Sequence, residues 1–259
     1  MGVPGQAQPS PPPAGLADSE LFAVDAYRRE FDSRVVEVDD AQRRVALART
    51  AFYPGGGGQP CDVGTLRLGT GVAPVVKVKR EGGRIWHWLD AEELPQPGEE
   101  VYGELDWDRR HLLMRTHTAL HILCGVIWTE FSVAVTGGNM DPGKGRLDFP
   151  LESMSTELGH RVERRINEEI ERAREIVVDF VGRDAADRDP ALIRTAADLI
   201  PREVDPLRVI DIVGLDKQAD GGTHVTSTAD VGRVLVTGTE SKGRGNKRIR
   251  LEVGDPDEP

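Results

Sequence analysis

Three of the six histidines of this 259-residue chain fall in two short segments, Arg115-Thr-His-Thr-Ala-Leu-His-Ile-Leu123 and Asp220-Gly-Gly-Thr-His-Val225. His117 and His121 are four apart, a spacing that stacks two side chains on one face of a helix, so both imidazoles can reach one ion. A helix supplies only one side of a coordination sphere. Asp220 and His224 flank a Gly-Gly pair that lets the backbone turn sharply enough to aim both side chains inward. A His pair four apart on a helix often arises without any ligand, and it is the second segment that turns the pair into a candidate metal site. Its members would be His117, His121, Asp220 and His224.

The chemistry around that site narrows the choices. A helical zinc peptidase places a glutamate next to its first histidine as general base, and here that position is Thr118. A purely structural zinc site draws on several cysteines, and the chain has only Cys61 and Cys124. The composition instead favours a His- and carboxylate-bound ion with room for water or substrate. Gly55 to Gly58 could pass for a phosphate loop, but no Lys-Ser/Thr follows, so no nucleotide cofactor is expected. The plainer expectation is a turn with several positive φ angles.

These groups need elements to hold them. From Leu21 to about Leu105 the pattern is strand-like: residues 34–39 and 44–50 alternate, and residues 75–80 and 84–89 flank Glu81-Gly-Gly83 as a hairpin. A small β-barrel is expected there. From Trp107 the period becomes helical, with one helix carrying His117 and His121. A second, amphipathic helix is expected from roughly Thr156 to Phe180, with Val162, Ile166, Ile170, Ala173 and Val177 as its apolar stripe. Residues 208–213, 233–237 and 247–253 read as strands. The fold class expected is α+β, with a disordered tail over residues 1–18, a barrel over 19–105 and a metal-binding domain over 106–254.

No apolar run approaches the roughly 20 residues of a membrane span, and the Pro- and Ala-rich start lacks the basic and apolar regions of a signal peptide. With two cysteines, a cytoplasmic protein without a disulfide is expected. No heptad repeat points to an oligomeric state.

Several segments, in order, carry a family resemblance: Thr50-Ala-Phe-Tyr-Pro-Gly-Gly-Gly-Gly-Gln-Pro-Cys-Asp-Val-Gly64, Asp106 to His121, Gly145-Arg-Leu-Asp-Phe149 and Gln218-Ala-Asp-Gly-Gly-Thr-His-Val225. On these the chain resembles the freestanding alanyl-tRNA editing proteins, which are similar to the editing domain of alanyl-tRNA synthetase. The resemblance runs from about Leu21 to Val253. It implies an editing core of two helices on an antiparallel sheet, with the metal between, zinc as cofactor, and hydrolysis of tRNA(Ala) mischarged with serine or glycine. A synthetase pocket built for alanine cannot strongly reject serine or glycine, which is why a second, hydrolytic site is useful.

The family pattern more often has Cys where this chain has Asp220. Asp keeps one negative charge but replaces soft sulfur by hard oxygen, so zinc competes with manganese, iron or cobalt. Cys124 is a rival ligand, because it lies within roughly 60 degrees of both helical histidines around the helix axis. It also reads as core in Ile122-Leu-Cys-Gly-Val-Ile127.

The resemblance also places Gly56, Gly57 and Gly58 beside the substrate and Thr50 as the hydroxyl that meets serine, and Gln59, next to the glycine run, is a candidate for orienting water or substrate. A net charge of −11 is unfavourable for an RNA-binding protein, but Lys242, Lys247 and Arg248 belong to a basic cluster that could track phosphates. The alternatives are a non-catalytic tRNA-binding module of the same fold and a metal-dependent hydrolase of another aminoacyl ester.

Overall fold

The computed structural model describes residues 9–69, 71–152, 155–189, 192, 204–241 and 245–254. Lys242 and Arg244 therefore lie outside the described residues, as do residues 1–8 of the expected tail. Of that tail's remainder, Leu16–Ser19 (α1) is a helical turn followed by another, Leu21–Val24 (α2).

Alternating residues in the first half close into a six-stranded antiparallel barrel. Its strands are β1 (Glu30–Asp39), β2 (Arg44–Leu47), β3 (Gly64–Leu68), β4 (Gly71–Glu81), β5 (Arg84–Leu89) and β6 (Glu100–Leu105), in the order β1-β2-β5-β4-β3-β6 with β6 returning to β1. The expected hairpin joins β4 to β5 through Gly82 and Gly83, both at positive φ as a primed two-residue turn requires. The short strands β3 and β6 were not anticipated. Gly103 in β6 lies under the Phe31 ring so closely that a Cβ would sit 2.4 Å from it, so the glycine that weakens the strand signal is a packing requirement.

The long helix α3 (Trp107–Phe131) is capped by the Asp106 side chain, which accepts from the Arg109 N–H, and it ends where Ser132 turns left-handed. Residues 113–127 are buried all round the helix, and this stretch includes the polar side chains of Arg115, Thr116, His117, Thr118 and His121. Helix α4 (Thr156–Glu171) starts at the Ser155 cap and buries Val162, Ile166 and Ile170. It is shorter than the stripe predicts. Ala173 sits at φ +48, which ends the helix, and Val177 belongs instead to strand β9 (Ile176–Val181).

Two antiparallel sheets enclose these helices, where one was expected. Strand β9, β10 (Leu207–Ile212) and β11 (Asp216–Ala219) form a three-stranded sheet in the order β11-β10-β9. The other has four strands, β12-β13-β8-β7, from β7 (Gly137–Asp141), β8 (Lys144–Phe149), β12 (Val234–Ser241) and β13 (Lys247–Val253). Side chains of α3, α4, β10 and β13 share one apolar cluster.

The barrel is fastened to α3 by a fully buried ion pair. The Arg110 guanidinium donates to both Asp62 oxygens and to the carbonyls of Ala26 (2.8 Å) and Ala51 (2.6 Å), while Tyr53 N–H donates to Asp62 Oδ2 (2.6 Å). A pair this buried stands only because nearly every donor has a partner.

Candidate metal centre

Helix α3 presents His117 and His121 toward the loop that follows β11, and that loop returns Asp220 and His224. The backbone N–H of Asp220 still bonds the Arg208 carbonyl, so the residue is held at the end of the ladder. The Asp220 side chain accepts the Gly222 N–H at 2.7 Å, which folds the loop back. The imidazole centroids of His117, His121 and His224 lie 4.3 to 5.1 Å apart. One ligand atom from each of the four residues lies within 4.8 Å of the others. Asp220 Oδ1 is 3.7 Å from His117 Nε2, and Asp220 Oδ2 is 3.1 Å from His224 Nε2. Tetrahedral ligands about 2.0–2.1 Å from a zinc-sized ion stand about 3.3 Å apart, so the 3.1 and 3.7 Å spacings already bracket that value and the widest would close by up to about 1.5 Å around a small divalent ion.

Each imidazole has its other nitrogen occupied. His117 Nδ1 is 2.9 Å from Gln59 Oε1, His121 Nδ1 is 2.9 Å from Asp216 Oδ2, and His224 Nδ1 is 3.1 Å from Thr118 Oγ1. Outer partners of this kind fix the ring orientation and leave Nε2 for a metal. Burial lowers the pKa of His117 to about 4 and also pushes His224 down, so both rings are neutral, the form that coordinates. Burial pushes the Asp220 carboxyl up, but the positive charge that His117 or His224 carries whenever it takes a proton, together with the hydrogen bond from His224, outweighs it and holds the group well below the usual carboxylate range. Neutral nitrogen donors with one carboxylate are a donor set suited to a borderline divalent ion.

Gly222 is where the sequence is most constrained by this geometry. A Cβ there would stand 2.3 Å from His117 Cε1 and 2.7 Å from Gln59 Oε1, so only glycine lets the loop pass the ring. Gly55, Gly56, Gly57 and Gly58 all have positive φ, and a Cβ on Gly57 would face Asp220 Oδ1 at 3.6 Å. Tyr53 holds this loop, its hydroxyl donating to the Gly56 carbonyl at 3.1 Å.

The remaining expected residues are placed differently. Cys124 packs in the apolar cluster and is not one of the four clustered ligands. Thr50 is buried, and its hydroxyl bonds His87 Nε2 (2.9 Å) and the Phe52 N–H (3.1 Å). Burial drives the His87 pKa down to about 4; Nδ1–H donates to the Val45 carbonyl, so the Thr50 hydroxyl donates to Nε2. Lys247 is buried with Nζ 3.1 Å from Ser241 Oγ, and Arg248 makes a two-pronged pair with Asp148 at 2.7 and 2.8 Å. The Arg248 charge is met within the fold, and the Lys247 ammonium is held by a hydroxyl.

Asp216 is a functional candidate that the sequence reading missed. The signal was available: Asp216 and Gln218 share the buried face of β11, and Gln218 Nε2 donates to Asp216 Oδ2 at 2.7 Å.

Residues 207–250 match the family described as "Threonyl and Alanyl tRNA synthetase second additional domain", and residues 18–109 match "tRNA synthetases class II (A)". The chain is similar to the alanyl-tRNA editing protein AlaX-M of Saccharolobus solfataricus, with 38% identity over 90% of this chain and 98% of that protein. It is 33% identical to the AlaX-M of Methanosarcina barkeri over 91% of this chain and 98% of that protein. It is also 36% identical to the alanine–tRNA ligase of Pyrobaculum calidifontis, covering 27% of that longer protein and 91% of this chain.

Proposed function

Because the chain belongs to the family of alanyl-tRNA editing proteins, we propose that it hydrolyses tRNA(Ala) mischarged with serine, and secondarily with glycine, at a centre holding one zinc ion. The single observation that carries the metal reading is the convergence of three imidazoles, each tethered through Nδ1, on the Asp220 carboxylate. A bound divalent ion would supply positive charge to polarise the ester carbonyl and a position for water or the substrate's amino group.

The chain's own residues supply the positioning. His117, His121, Asp220 and His224 would hold the ion between α3 and the loop after β11. Gly57, which faces Asp220 and has no side chain, would leave room there for the terminal ribose, with Gly56 and Gly58 on either side of it in the loop. An aminoacyl ester is already activated, so holding its carbonyl in place and stabilising the developing oxyanion meet most of the demand. A part for Thr50 in preferring serine rests on the resemblance, since its hydroxyl proton is given to His87. One acceptor lone pair remains on that oxygen for a substrate hydroxyl.

A phosphate track through Lys247 and Arg248 is weakened by their internal partners. Neutralising both and finding an unchanged salt slope of tRNA binding would remove them from the contact. Among the described residues no helix is long and apolar enough to cross a membrane. Action on charged tRNA fits a cytoplasmic location.

The deciding experiment is deacylation of Ser-tRNA(Ala), Gly-tRNA(Ala) and Ala-tRNA(Ala) by purified protein before chelation, after it, and after zinc is restored. Selective, zinc-restorable loss of serine supports the proposal. Zinc-loaded protein that spares all three overturns it in favour of another ester or a non-catalytic module.

A further inference from the structure

Gln59 comes from the barrel side of the molecule, 58 residues before His117 and 164 before Thr223, yet it is buried and bonded to both. Its amide orientation is not ambiguous. The Thr223 backbone N–H, 2.9 Å away, can only donate, so the atom facing it is the oxygen Oε1. Nε2 then donates to Thr223 Oγ1 at 2.8 Å. Because Oε1 is an acceptor, the His117 Nδ1 that lies 2.9 Å from it carries the proton, and the lone pair of His117 is on Nε2, toward Asp220. Both lone pairs of Oε1 are now spent. An amide oxygen so engaged cannot accept a hydrogen bond from water, which removes the basis for Gln59 as the group that takes a water's O–H.

We infer that Gln59 is a positioning residue of the metal centre: it sets the tautomer of His117 and ties the glycine-rich loop to both ligand-bearing segments, so that ordering of this loop and metal binding are one linked equilibrium. The inference rests on the reading that the four-residue cluster holds an ion. Thr223 lies between the ligands Asp220 and His224, so a single side chain grips helix α3 and the ligand loop together. Gly222 alone leaves space for that grip, since a Cβ would press on Gln59 Oε1 and His117 at once. By linkage, whatever the loop contributes to metal affinity the metal returns to the loop.

The test uses metal-free full-length protein titrated with Co2+, followed by its visible absorption and by competition with a chelator. The variants are Gln59→Leu, which keeps bulk and removes the acceptor, and Gln59→Glu, whose carboxylate can still accept from His117 and Thr223. Gln59→Leu should bind Co2+ about 10–100-fold more weakly, while Gln59→Glu stays within a few-fold of wild type. Amide exchange over residues 55–59 should slow on metal addition in wild type and Gln59→Glu but not in Gln59→Leu. If wild type binds Co2+ and Gln59→Leu binds it equally, or both variants lose affinity alike, the inference is overturned while the metal reading stands. Wild type that takes up no Co2+ refutes the metal reading itself and this inference with it. Circular dichroism of each metal-free variant separates misfolding from lost affinity, and folded Gln59→Glu still decides the matter if Gln59→Leu does not fold.

Discussion

Gly222→Ala should weaken metal binding severely, and the structure sets the scale. The new methyl would lie 2.3 Å from His117 Cε1, 2.4 Å from Nδ1 and 2.7 Å from Gln59 Oε1. Ordinary contact begins near 3.4 Å, so the imidazole or the loop must yield by about 1 Å, several times the roughly 0.2 Å that a metal–ligand distance tolerates. The movement also breaks the 2.9 Å bond between His117 and Gln59. Overpacking of this kind costs about 1–3 kcal/mol of stability, which a folded domain survives. Divalent-metal affinity should fall at least about 100-fold, since a ligand and its outer partner are displaced together. Gly221→Ala is the control on the same loop, because a Cβ there meets nothing within 4 Å. The assay is chelator competition with Zn2+ and Co2+, with thermal unfolding recorded with and without metal. Affinity within threefold of wild type for Gly222→Ala, or an equal loss in Gly221→Ala, would refute the placement of the site.

Asp216→Asn keeps an acceptor for His121 but removes the charge behind it, and should weaken metal binding about 10-fold by the same competition assay; no change would mean that the carboxylate's charge is not felt at the site. Asp220→Cys should shift preference toward Zn2+ over Mn2+, since a thiolate is the softer ligand, and competition between the two ions reads this directly. For His87 the pKa falls from 6.5 in the unfolded chain to about 4 in the fold, so the unfolded chain binds the extra proton in between. Stability is therefore kept above about pH 6.5 and lost as pH falls toward 4, amounting to about 2 kcal/mol between pH 7 and 5. Urea unfolding at both pH values should show that difference shrink in His87→Gln, and an unchanged difference would assign the acid sensitivity elsewhere.

The clustering of four candidate ligands was legible because each obeys a local rule: four residues along a helix for His117 and His121, a glycine turn for Asp220 and His224. What orients them was not, because Gln59 meets His117 only after the barrel docks on α3, and no period links positions 58 residues apart. Asp216 was legible in principle from strand alternation, but β11 is only 4 residues long and too short to announce itself. The end of α4 was hidden for another reason. Val177 falls at helical spacing from Ala173 by coincidence, and the left-handed turn at Ala173 has neither glycine nor proline to mark it.

The short segment from Gln59 to Asp62 joins the barrel to the core in two physically different ways. At Asp62 the joint is an ion pair with Arg110, both side chains at 1% exposure or less, and it depends on no ion being bound. Removing one member of such a pair leaves a buried charge uncompensated, at a cost of about 3–5 kcal/mol, so this joint persists whenever the protein is folded. At Gln59 the joint is made of neutral hydrogen bonds to His117 and Thr223, each worth about 1 kcal/mol net. On the proposed linkage, loss of a bound metal would free the rings to reorient and so act on the weaker joint alone. The barrel would then stay docked through Arg110 while the glycine-rich loop loosened, which would separate what the barrel does for stability from what its loop does for the site.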